Sequence, residues 1–162
     1  MKLTALMSLL GLLLWTPWLQ AQQMSSTQAE SVDPEAIIKF RIQRFEEVEK
    51  TFKALRFEVV VNRSQDRYAS YKMANTLADQ VQPLLEAFRL RTDQQRFAGK
   101  TRARSEIWVH RDEFEEQMID FIVRTERIAE LLRAGNMSEA ANLINVTAKG
   151  CKRCHRMFRS RW

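Results

Sequence analysis

The amino-acid sequence predicts an all-α fold, an antiparallel four-helix bundle behind an N-terminal export signal. Its 162 residues include only 3 Pro and 4 Gly, too few turn-formers for a many-stranded protein. Apolar residues recur at steps of three and four through long stretches, and alternating β-branched runs are lacking. The links between these stretches are mostly short, which suits helices folded back on their neighbours. The length fits a single domain with a real core.

Met1-Lys2 gives a short positive start, Leu3 to Trp18 is an uncharged apolar run, and Leu19-Gln20-Ala21 ends on a small residue. The run is shorter than the roughly 20 apolar residues that span a bilayer comfortably. Residues 1–21 are therefore read as a signal peptide removed on export, which places the mature chain in the periplasm. Its removal takes Lys2 and lowers the net charge from +6 to +5. Residues 22–32 are polar and read as a flexible leader; residues 33–162 form the folded domain.

Asp33-Pro34-Glu35 opens the first helix with an N-cap acid, a first-turn proline and a second acid for the dipole. It runs to about Val61, with Ile38, Arg41, Phe45, Val48, Phe52, Leu55 and Val59 on one face. The second spans Asp66 to about Leu90, with Met73, Leu77, Val81, Leu84 and Phe88 on its stripe. Pro83 predicts a kink or a broken turn there. Arg91 to Ser105 is the long connection.

The third helix starts at Glu106 or Asp112 and ends at Ala134, with Gly135 as its C-cap. Phe114, Met118, Phe121, Thr125, Ile128 and Leu132 form its stripe. Asn136 followed by Glu139 has the capping-box pattern and starts the fourth. Leu143, Val146, Thr147, Gly150, Cys151, Cys154, His155 and Phe158 are expected on its inner side.

The charge is uneven: from Lys149 to Trp162 there are two Lys, four Arg and no acid. No basic groove interleaved with aromatics accompanies this tail, which argues against nucleic acid. A solvated rim that attracts an acidic partner fits better.

Two cysteines in an exported chain first suggest a disulfide, yet both lie in Cys151-Lys152-Arg153-Cys154-His155, where a bridge would close almost no loop. A thioredoxin-like CxxC needs a βαβ setting, and a zinc site needs more ligands. CxxCH is the attachment sequence of c-type haem. Cysteines three apart on a helix project to one side and can both reach vinyl groups on one porphyrin edge. His155, next in line, is carried under the iron as its axial ligand. Gly150 is expected to leave room for the flat ring.

Arg41 sits inside the apolar stripe of the first helix, where an unpaired cation is costly. Two readings fit: an arginine snorkelling from the stripe edge, or one paired with a haem propionate. No Met or His lies between Asp33 and Val61 to serve as a second axial ligand. His110 reads as an exposed or capping residue, and Met73 and Met118 as core filler.

These residues resemble cytochrome c′, the class II c-type cytochromes. Lys39-Phe40-Arg41 with Phe45 and Phe52, Glu106-Ile107-Trp108, and Cys151 to His155 with Arg159 four residues later carry the likeness over most of residues 33–162. Ile42, Phe45 and Ser105 depart from the family's commoner Gln, Leu and Pro. The resemblance implies one haem c bound covalently through Cys151 and Cys154, with His155 as the sole axial ligand of a high-spin iron. It further implies Arg41 beside a propionate, Phe45 over the open iron position and Arg159 on the proximal face. Trp108 and Phe158 either pack near the ring or serve as ordinary core.

The function expected from this is binding of nitric oxide or carbon monoxide with redox activity, the alternative being a low-spin, Met-ligated electron carrier. Phe45 offers no hydrogen bond to bound dioxygen, while nitric oxide and carbon monoxide depend less on such help. No general base or nucleophile accompanies the iron position, so enzymatic turnover is not expected. Relatives are often homodimers through the first two helices, but Glu46, Glu47, Glu49 and Lys50 leave that face charged, and both monomer and dimer remain open. After signal cleavage no membrane contact is expected.

Overall fold

Asp33 fixes the start of the first helix: its carboxylate accepts the N–H of Glu35 at 2.9 Å, and Pro34 takes the first helical position, where no N–H is needed. In this computed structural model, which describes residues 32–161, the helix α1 spans Pro34–Arg56. The expected signal peptide, and the leader apart from Val32, lie outside the described residues. α1 buries Ile38, Arg41, Val48 and Leu55, one stripe at steps of three, seven and seven. It continues into a π-helical turn, Phe57–Val61, where the N–H of Asn62 reaches back to the carbonyl of Phe57 at 2.8 Å. The run Val59-Val60-Val61 crowds a regular helix and helps explain the widening.

α2 spans Arg67–Val81, capped by Asp66, which accepts the N–H of Ala69 at 2.9 Å. Pro83 breaks it, and the chain proceeds as two 3-10 turns, Gln82–Leu84 and Glu86–Phe88. Leu77, Val81, Leu84 and Phe88 are buried as the stripe predicted, while Met73 is only half-buried; Ala74 and Ala78 supply the close contact instead. Both starts anticipated for the third helix occur. A short α3, Glu106–Val109, breaks at the exposed His110 (φ −110°, ψ 54°), and α4 follows over Arg111–Ala134.

Gly135, at φ 85°, closes α4. Its N–H bonds the carbonyl of Leu132 at 3.1 Å and that of Asn136 bonds Leu131 at 2.8 Å, a left-handed cap that a side chain would strain. α5, Met137–Phe158, starts at once. The expected capping box does not form, because Asn136 makes no side-chain cap. Squeezed between two helices, its N–H is committed to the cap of α4.

α1 packs on α2, α2 on α4 and α4 on α5 in a four-helix bundle. The ring closes where the π turn meets α5, while α1 itself touches α5 more sparsely. α5 is rotated from its predicted orientation. Ala140, Ile144, Thr147 and Phe158 are buried, whereas Val146 (47% exposed) and His155 lie outside the packed face. Burying the small Ala140 and Ile144 against α4 turns Val146 outward. Gly150 also faces α4, where a Cβ would stand 3.4 Å from Arg124 Nη1. The space it leaves serves helix packing.

Candidate functional site

Along α1, Arg41, Phe45, Glu49 and Phe52 follow one another at steps of three and four, so they share one helix face. On α5, Ala148, Cys151, Lys152 and His155 cluster on one side of the helix, and a gap opens between the end of α1 and α5. At the π-turn end the gap is an apolar cavity of about 390 Å³, lined by Phe52, Lys53, Arg56, Phe57, Val61, Ala148 and Lys152. It adjoins Cys151 in sequence and on the helix face. From Arg41 to Phe52 this face of α1 is roughly 16 Å long at 1.5 Å per residue.

Arg41 is 3% exposed. Its Nη2 donates to the carbonyl of Thr92 at 3.3 Å, its guanidinium lies 4.5 Å from the centre of the Phe88 ring, and its Nη1 has no hydrogen-bond partner. Burial alone lowers its pKa to about 10, so it stays charged at neutral pH. A buried cation with an unused donor is costly unless an anion completes it. The snorkelling alternative is thus removed. A haem propionate has the charge and acceptor geometry to fill that place.

Phe45 packs edge-on against Phe88, with centroids 6.2 Å apart. Trp108 is half-buried against the same ring and donates from Nε1 to the Phe88 carbonyl at 3.0 Å. Phe158 belongs to the bundle interior, 3% exposed and 5.2 Å from Phe114. Phe88, which the sequence marked only as core, is therefore the ring that joins Arg41, Phe45 and Trp108.

Cys151 and Cys154 are free and half-buried. Desolvation raises both thiols, Cys154 to about 11, which is opposite to what a CxxC redox nucleophile requires. Among the described residues no group of three or more His, Cys, Asp or Glu is placed to hold a metal ion. Covalent attachment to a vinyl edge remains the chemistry that suits both sulfurs.

At His155, burial disfavours the imidazolium first, and Arg159 and Arg102 add to this against the opposing Glu49. The ring is accordingly neutral, the form that ligates iron. Arg159 Nη1 stands 3.4 Å from His155 Nδ1. Were Nε2 to bind a metal, Nδ1 would carry the proton and could not accept from arginine. Arg159 would then act through its positive charge, which would draw electron density from the ring.

One contributor gave no clear sequence signal. The link 101–104 pairs with the residues after α5: Arg102 donates from Nε and Nη2 to the carbonyl of Ser160 at 3.0 and 2.8 Å. Ser160 N returns a bond to Arg102 at 2.9 Å, and Ala103 bridges Arg159. This stitch fixes the backbone that carries Arg159. Only the run of arginines in the connection hinted at it.

The sequence pattern of cytochrome c′ matches residues 36–159. No curated protein sequence matches. Among solved structures, cytochrome c′ from Rhodobacter spheriodes is 23% identical and covers 80% of this chain and 99% of its own, with a TM-score of 0.70. That from Rubrivivax gelatinosus is 17% identical over 80% and 98%, with a TM-score of 0.69. A ferrous variant from Alcaligenes xylosoxidans with bound NO is 20% identical over 82% and 100%, with a TM-score of 0.72. At these identities the structures speak for the fold, a bundle that agrees with the order of helices described above. The family pattern goes further, covering the walls of the gap and the CxxCH segment together: the chain belongs to the cytochrome c′ family, and its cofactor is covalently bound haem c.

Proposed function

We propose that this protein is an exported gas-binding haem protein, with Cys151 and Cys154 as its attachment points, His155 as the single axial ligand and Arg41 as the propionate anchor. The observation that carries the reading is the buried guanidinium of Arg41, its Nη1 unpartnered, on the same helix as Phe52, which lines the apolar cavity together with Ala148 and Lys152 of the CxxCH helix. At attachment, each sulfur adds to one vinyl carbon and its proton passes to the other, forming a thioether. When bound, the haem supplies an iron with one position open to small neutral gases.

The chain's own side chains set what enters. Phe45 presents only carbon and hydrogen, which keeps hydrogen-bond donors away and disfavours dioxygen relative to nitric oxide and carbon monoxide. Its bulk crowds any ligand on that side. Arg159, beside Nδ1, makes His155 a weaker donor and eases its displacement by nitric oxide. A solved structure of this fold with bound NO supports that choice of ligand. Residues 1–21 direct the chain to the periplasm in this reading; among the described residues no helix is long and apolar enough to cross a membrane.

Absorption spectra of the purified holoprotein, with and without nitric oxide, test the proposal. High-spin ferric and ferrous spectra, with a five-coordinate nitrosyl spectrum after gas addition, are the expected result. A sharp low-spin spectrum with a sulfur-to-iron band would instead assign the chain to electron transfer and direct attention to Met73 or the buried Met118.

A further inference from the structure

We infer that the outward face of α5, with Lys149, Arg153 and Arg156 and with Lys152 at the rim of the cavity, is a docking surface for an acidic protein. All four side chains are exposed, and among the described residues none has a carboxylate within ion-pair distance. Elsewhere several surface cations on the helices are neutralised within a turn: Arg44 with Glu47, Lys53 with Glu49, Arg111 with Glu115, Arg124 with Asp120, and Arg127 with Glu130. After Glu139 the chain contains no acid.

The bland account is a helix C-terminus that favours cations through its dipole. That effect is confined to the last turn. Lys149, Lys152 and Arg153 precede that turn, where like charges three and four residues apart only repel. A uniform positive strip is therefore unexplained by the fold, and it suits a negatively charged surface.

The chemistry favours a protein over a bilayer or a nucleic acid. α5 spends its apolar face on the bundle, burying Ala140, Ile144, Thr147 and Phe158, and leaves Val146 as its one exposed large apolar side chain, too little to insert into lipid. Its outward strip carries no aromatic ring on which bases could stack. Arg153 and Arg156 instead match carboxylates, which a guanidinium grips with two hydrogen bonds. The strip lies on the helix of Cys151 and Cys154. A docked partner would thus stand beside the attachment segment, a consequence that rests on the haem placement proposed above; the docking itself does not.

The test measures the anisotropy of a dye-labelled decaglutamate peptide titrated with holoprotein. Wild type is compared with Lys149→Glu/Arg153→Glu and with a control of equal charge change, Lys72→Glu/Arg127→Glu. We expect the α5 pair to weaken binding about tenfold and the control to have a several-fold smaller effect, with both gaps shrinking in high salt. Lys149→Glu alone, outside the CxxCH segment, keeps the comparison valid if the pair impairs haem loading. Equal losses in the two pairs would overturn the inference. So would a dependence on Lys149 and Arg153 for binding phosphatidylglycerol–phosphatidylcholine vesicles but not decaglutamate. The haem spectrum is recorded separately, so a failure of the attachment reading shows there and not in the anisotropy.

Discussion

The guanidinium of Arg41 lies over the ring of Phe88 at 4.5 Å, with one of its terminal nitrogens unbonded in the interior. Cation–π attraction offsets part of the desolvation cost, and the Thr92 carbonyl another part, yet Nη1 still lacks an acceptor. Two opposite effects should follow from Arg41→Leu. In haem-free protein the loss of an incompletely satisfied buried charge should be neutral or stabilising. In holoprotein it should cost on the order of 1–3 kcal/mol, the penalty of leaving a charged partner unpaired. Thermal melts of both forms check this; a similar loss in each would assign Arg41 to the fold alone.

Phe45→Ala should raise carbon monoxide affinity, since it opens the side of the gap that the ring crowds. Equilibrium titration of the ferrous protein measures it. An unchanged affinity would show that Phe45 packs on Phe88 without guarding the iron.

Arg159→Ala removes the cation 3.4 Å from His155 Nδ1. A more electron-rich ring should hold iron more firmly, raising the iron–histidine stretching frequency and slowing conversion to a five-coordinate nitrosyl. Carbon monoxide binding should change less. Equal effects on both gases would count against action through the proximal side.

Asp93 is fully buried in the long connection. Burial pushes its carboxyl upward, but hydrogen bonds from Arg91, Arg96 and Gln95 outweigh this and leave it below the ordinary range. A depressed pKa contributes stability above the unfolded-state value, near 3.9, and that contribution is lost as pH falls through the folded value. Asp93→Asn should therefore be less stable near pH 7, on the order of 1–3 kcal/mol for a charge-assisted bond. The two melting curves should converge in acid. A gap independent of pH would show that the carboxylate's charge contributes nothing.

The sequence made the helices legible because their starts are chemical: Asp33 and Asp66 cap, Pro83 breaks, Gly135 ends. Arg41 stood out because a cation on an apolar stripe violates the pattern, and CxxCH because its spacing has few uses. Helix rotation was less legible. Val146 and His155 fell on the packed face by periodicity alone, but the small Ala140 and the bulk of Ile144 set how closely α5 meets α4. That Gly150 also meets Arg124 of α4 was not legible for the same reason. Arg102 and Ser160 could not be paired from sequence, since a bond across 58 positions has no local pattern.

That bond makes the last described residues a latch for a segment far upstream. Trimming the chain after Phe158 would release more than a frayed end. It would also unfasten the approach to α3, and with it the neighbourhood of Trp108. The integrity of the pocket thus depends on a short terminal segment in which Arg159 reaches His155 while Ser160 holds the upstream link.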